Sequence, residues 1–130
     1  MDLSNIREVK ASQNNRSRKE GGVMTVIYSQ KNGKRIEFKK EFLQELSIEN
    51  ELKVAFDEEN LYIGRDLPNI SKTFSLKSQG KKAVIYSAQL AEEIIQTLRL
   101  KLDGKVSVTL TEFELDECNG VMVAGIGRDA

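Results

Sequence analysis

Hydrophobic and polar positions alternate with a period of two along much of the chain, and twice a helical period interrupts them. Residues 23–28 (VMTVIY) are rich in β-formers and predict a strand. Lys31-Asn32-Gly33-Lys34 follows with an Asn-Gly turn signal, and Ile36 and Phe38 then alternate with Arg35 and Glu37 as a half-buried return strand. In residues 41–46 (EFLQEL) the apolar groups fall at i, i+1 and i+4, one face of a short helix. Leu52, Val54 and Phe56 alternate with Lys53 and Ala55, residues 57–60 (DEEN) turn the chain, and Leu61-Tyr62-Ile63 return before Pro68.

The same order then recurs. Residues 73–76 (TFSL) predict a strand, residues 77–80 (KSQG) a turn, and Val84 and Tyr86 share one face of the return strand. Ser87 stands where its hydroxyl can cap a longer helix, in which Leu90, Ala91, Ile94, Ile95 and Leu98 trace one stripe. Asp103-Gly104 turns the chain into Val106, Val108 and Leu110, which alternate again. At Thr111-Glu112 the apolar phase slips to Phe113 and Leu115, predicting a bulge or bend, because one inserted residue swaps the faces. Cys118-Asn119-Gly120 is a further hairpin turn before residues 121–124 (VMVA).

Both halves therefore read strand, strand, helix, strand, strand. The match is closest where Gly33-Lys34-Arg35-Ile36-Glu37-Phe38 and Gly80-Lys81-Lys82-Ala83-Val84-Ile85-Tyr86 each carry a glycine, two basic residues, and an aliphatic residue two before an aromatic. A unit of roughly 45 residues buries too little to stand alone, so two of them must share a core. The pattern predicts an α+β protein of two tandem ββαββ units, residues 23–67 and 71–126. A flexible tail (residues 1–22) precedes them and a short C-terminal tail (127–130) follows.

Composition narrows the function classes. With 130 residues, 39% hydrophobic and 31% charged, the chain has the balance of one soluble domain and not of a disordered segment. No apolar run approaches the ~18 residues that cross a bilayer, and the first twenty residues lack the apolar stretch of a secretory leader. A single cysteine, Cys118, cannot build a disulfide framework, and a reducing cytoplasm is the expected compartment. The chain has no histidine, which removes the commonest general base and the commonest transition-metal ligand. No phosphate-loop, dinucleotide, nucleophile-elbow or EF-hand pattern is present. Neither an enzyme, a cofactor nor a metal is expected.

Twenty basic residues balance twenty acidic ones, but they are not mixed. Residues 1–30 sum to +2 (five basic, three acidic), 31–40 to +4 (five, one), 41–66 to −6 (two, eight), 67–105 to +4 (seven, three) and 106–130 to −4 (one, five). The basic residues gather at two glycine-containing turns, and such clusters set a local potential whatever the net charge.

Residues 33–48, from Gly33-Lys34-Arg35-Ile36-Glu37-Phe38 through Phe42 and Leu46-Ser47-Ile48, followed by Leu52-Lys53-Val54, resemble the swapped-hairpin DNA-binding unit of the AbrB and MazE proteins. Two such units in one chain are similar in plan to MraZ-type regulators. Lys39 and Ser87 stand where the family has proline, and its Gly-Asp is Asn50-Glu51 in the first unit and the reversed Asp103-Gly104 in the second. The resemblance implies a pseudo-dimeric barrel of interleaved hairpins and a DNA-binding transcriptional regulator or antitoxin-like protein. Carried over by position, its phosphate-contacting residues are Lys31, Lys34, Arg35 and Lys39 with Lys77, Lys81 and Lys82. A pseudo-twofold arrangement is expected to bring both basic turns into one patch of opposed arms, neutralising phosphates and reading DNA shape more than bases. Arg35 is able either to read guanine or to pair with Glu37 or Glu41, and Arg16, Arg18 and Lys19 of the tail either add phosphate contacts or stay inert.

The rival reading is a non-enzymatic protein-interaction or inhibitory module of a mobile element, without nucleic-acid binding. It rests on the acidic strand Glu112-Phe113-Glu114-Leu115-Asp116-Glu117 and on Asp57-Glu58-Glu59, whose faces would dock a basic protein or shield the chain's own edge strands. Tyr28, Tyr62 and Tyr86 read as packing residues, not as stacking platforms, and Cys118 as a turn residue. A further pairing of two chains is left open.

Overall fold

The computed structural model describes residues 16–18, 22–31 and 33–128, the first three by their backbone. Among the described residues eleven strands and two helices follow in the order β1 (Arg16–Arg18), β2 (Met24–Ser29), β3 (Gly33–Lys39), α1 (Lys40–Glu45), β4 (Glu51–Phe56), β5 (Asn60–Gly64), β6 (Phe74–Ser75), β7 (Lys77–Gln79), β8 (Lys82–Ile85), α2 (Ala88–Leu98), β9 (Ser107–Leu110), β10 (Glu112–Cys118) and β11 (Val121–Gly127). They build two antiparallel sheets. Sheet I has the order β1-β10-β11-β5-β4-β6 and sheet II the order β7-β8-β3-β2-β9.

Turn chemistry sets the hairpins. Gly33 takes φ +92° where the β2–β3 turn needs a left-handed residue, and Asn119 (φ 53°) with Gly120 (φ 81°) closes β10–β11. Ser87 caps α2 as its position predicts, its Oγ accepting from the Leu90 amide at 3.1 Å. The helix buries Leu90, Ala91, Ile94 and Leu98 against β2, β3 and β5.

Each half sends one hairpin to each sheet. β2–β3 and β7–β8 meet in sheet II through the β3·β8 ladder, and β4–β5 and β10–β11 meet in sheet I through β5·β11. Neither half owns a sheet, so the main buried cluster draws on both: Ile36, Phe38, Phe42 and Leu52 from one, Ile85, Ile94, Phe113 and Ile126 from the other. The Phe42 and Phe113 rings meet edge-on, centroids 5.0 Å apart at 77°, which joins the halves at the centre.

The phase slip at Thr111 has a larger consequence than a bulge. β9 ends at Leu110 beside β2 in sheet II, and β10 begins at Glu112 in sheet I, so the chain changes sheets there. It changes sheets again around Leu76, between β6 beside β4 and β7 beside β8. Residues 77–79, expected as a turn, are consequently a strand. At these corners continuous chain links the sheets where a barrel would need a hydrogen-bonded ladder. Both sheets keep open edges, and no closed barrel forms among the described residues. Residues 16–18, expected as part of a flexible tail, run as β1 with Arg16 opposite Glu114 and Arg18 opposite Glu112; the other residues of 1–21 lie outside the described residues.

A second, smaller cluster lies on the far side of sheet I, where Leu67 and Ile70 pack on Ala55, Tyr62 and Val123. Beneath it, Asp57 holds the β4–β5 turn. Its carboxylate accepts from the Glu59 and Asn60 amides at 2.9 and 2.8 Å, from Asn60 Nδ2 and, at 2.6 Å, from the Tyr62 hydroxyl. Burial pushes the Asp57 carboxyl up, but these donors, Tyr62 foremost, together hold it below the ordinary value of 3.8. Arg128 ties the end of β11 down, donating to Thr97 O near the end of α2, to Glu58 O at 2.9 Å, and to Glu59 Oε1 at 3.2 Å. Sequence reading assigned Arg128 only to a terminal tail.

Candidate nucleic-acid interface

Antiparallel pairing of β3 with β8 decides where the basic turns go. Ile36 lies opposite Ile85 and Lys39 opposite Lys82, so the start of each strand meets the end of the other. The Lys31–Gly33 turn and the Gly80-Lys81 turn therefore lie at opposite ends of sheet II, about 20 Å apart along the seven residues of β3. The expected patch of opposed arms is corrected: the two turns do not meet.

What does meet is a set of strand side chains. Along β3, Ile36 and Phe38 point into the core, so Arg35, Glu37 and Lys39 point away from it. Register carries the same outward phase to Lys82 and Val84 on β8, Lys77 and Gln79 on β7, Thr25 and Ile27 on β2, and Ser107 and Thr109 on β9. The β7-β8-β3 part of this face holds four cations, Arg35, Lys39, Lys77 and Lys82, from both halves of the chain. Its one carboxylate is Glu37. The β2-β9 part is neutral, with the Thr25 and Thr109 hydroxyls bonded at 2.9 Å.

Glu37 bridges the patch, meeting Arg35 Nε at 3.2 Å and Lys82 Nζ at 3.4 Å. Of the alternatives for Arg35, the structure thus shows the ion pair with Glu37. Partial exposure on both sides makes these pairs weak contributors to stability. Lys39 opposite Lys82 opposes stability, since like charges directly across a ladder repel. Among the described residues this face sets one carboxylate beside four cations, of which Arg35 and Lys39 carry further contacts.

The remaining predicted residues divide by end. Lys81 is exposed in its turn, beside Lys40, whose amide donates to Lys81 O at 3.0 Å and whose ammonium reaches the Ser78 hydroxyl. That end extends the patch. Lys31 is exposed in the other turn. Lys34 has the inward phase of Ile36, and its ammonium sits 4.3 Å from the centre of the Tyr28 ring, off the outward face.

Two contributors escaped sequence reading. Tyr86, counted with the packing residues, is 57% exposed, whereas Tyr62 is fully buried. Gln79, read as part of a turn, donates from Nε2 to the Tyr86 hydroxyl. The signal was the phase: Tyr86 lies four residues past Lys82 and so shares its face.

The acidic strand is differently placed. Glu112 and Glu114 are half-buried and carry contacts, and β1 runs beside them. Glu59 is taken by Arg128. Among the described residues no group of three or more His, Cys, Asp or Glu side chains could hold a metal ion, and no helix is long and apolar enough to cross a membrane. No protein-family model matches the chain, and neither a curated protein nor a solved structure matches it.

Proposed function

We propose that the protein binds DNA through the outward β7-β8-β3 face, as a small non-enzymatic regulator or antitoxin-like protein of the cytoplasm. The observation that carries this reading is the gathering of Arg35, Lys39, Lys77 and Lys82 on one outward surface, where Glu37 is the acid among the described residues. Such a surface neutralises phosphates and releases their counterions, giving affinity with little base reading. Lys81 and Lys40 extend it at one end, while Lys31 and Lys34 lie at its margin. The same reading takes the halves as two copies of one ββαββ unit, arranged in the manner of a swapped-hairpin pseudo-dimer. Its support is the strand order, β10-β11-β5-β4 in one sheet and β7-β8-β3-β2 in the other, in which corresponding strands of the halves meet at each centre.

Titration of a short random-sequence duplex tests the binding. Four phosphate contacts give a slope of log affinity against log salt of about −3.6, roughly a hundredfold loss between about 50 and about 200 mM salt. Changing Arg35, Lys39, Lys77 and Lys82 together to alanine is expected to abolish that dependence, and changing the exposed Lys101 and Lys105 to leave it intact. No binding at about 50 mM salt, or equal binding by the fourfold variant, overturns the proposal.

A further inference from the structure

Tyr86 directly follows β8 and continues the outward phase of Lys82 and Val84 on the cationic face. Val84 shares its outward phase, belongs to neither buried cluster, and is nevertheless only 1% exposed. Gln79 pairs with Lys82, four residues back along the strand from Tyr86, yet its side chain reaches the Tyr86 hydroxyl, so the phenol leans back along β8 toward Gln79 while the residue stays 57% exposed. The same face carries Lys77, paired with Val84, then Lys82, and Arg35, the neighbour of Ile36, which pairs with Ile85.

An exposed aromatic ring, tethered at its hydroxyl on a face that carries cations, suits an unpaired base more than a duplex. The bases of a duplex are stacked on one another and offer no free face, whereas a single strand turns its bases onto aromatic side chains while its phosphates follow the cations. Resting on the DNA-binding reading above, we infer that this face holds single-stranded DNA, with Tyr86 as the stacking platform and Arg35, Lys77 and Lys82 as phosphate contacts around it. Glu37 holds Arg35 and Lys82 in place between binding events.

The test compares a single-stranded oligothymidylate of about 12 nucleotides with a duplex of equal length, using the full chain at low salt. The single strand is expected to bind about tenfold tighter. Tyr86→Ala lowers its affinity about tenfold and erases the preference over the duplex, and Tyr86→Phe retains most of it, because the ring does the stacking. Tyr86→Leu keeps a large apolar side chain at this position and is expected to lose as much as alanine does, which separates stacking from folding. Equal affinity of the wild-type chain and both Tyr86→Ala and Tyr86→Leu for the single strand, with duplex binding intact, overturns this inference alone. Absence of binding to either DNA overturns it together with the proposed function.

Discussion

The two sheets treat their outward faces in opposite ways. Sheet I roofs its face with Leu67 and Ile70, buries Tyr62 there completely, and spends the tyrosine hydroxyl on the Asp57 carboxylate. Among the described residues, sheet II leaves Tyr86 57% exposed, with the cations of β3, β7 and β8 on the same face. Tyr62 lies on β5 and Tyr86 directly after β8, each on the outward face of its sheet, so the difference comes from what covers them. A loop follows β5 and folds back over its sheet; a helix follows β8 and packs on the inner side. Among the described residues, a loop covers the first face and the second is exposed at Tyr86.

The largest expected contrast is in stability. Tyr62→Ala should destabilise the fold by about 3–5 kcal/mol, as removal of a buried aromatic side chain does, and Tyr86→Ala by less than about 1 kcal/mol. Urea unfolding measures both, and similar losses would erase the distinction between the faces. Next comes Asp57→Asn, expected to cost about 1–2 kcal/mol because the carboxylate accepts from four donor groups around its turn. Its pH dependence has a definite sign. The folded chain holds Asp57 below the ordinary 3.8, so its contribution is present above that pH and is lost as pH falls through the depressed value. The Asp57→Asn variant should show a flatter acid limb in the same measurement.

Ser87→Ala, which removes the cap of α2, should cost about 1 kcal/mol in urea unfolding. The smallest effect concerns the open face. Glu37→Gln removes the one carboxylate and should raise DNA affinity a few-fold while shifting stability by less than about 1 kcal/mol. A fall in affinity would mean that Glu37 organises the cations more than it offsets them.

Much of the fold was legible in local pattern. The hairpin at Gly33, the cap at Ser87, the α2 stripe and the Asn119-Gly120 turn all depend on residues close in sequence. The switch of sheets at Thr111 announced itself only as a phase slip, because periodicity tells which face a residue takes and not which sheet it joins. The site was legible by residue but not by place. Arg35, Lys39, Lys77 and Lys82 were chosen for their nearness to two turns, yet what brings them together is the antiparallel β3·β8 register. That register is long-range, and it sends the turns to opposite ends. Tyr86 was misread for a related reason: in Ala83-Val84-Ile85-Tyr86 every residue is apolar or aromatic, so alternation alone did not tell the inward pair from the outward one.

The central claim is that the open face of sheet II, and not the roofed face of sheet I, receives the ligand. An NMR titration of the full chain with a short oligothymidylate tests this most directly. The account predicts amide shifts concentrated at Arg35, Glu37, Lys39, Lys77, Gln79, Lys82 and Tyr86. Shifts concentrated instead at Lys53, Tyr62, Asp116 and Val123 would contradict it.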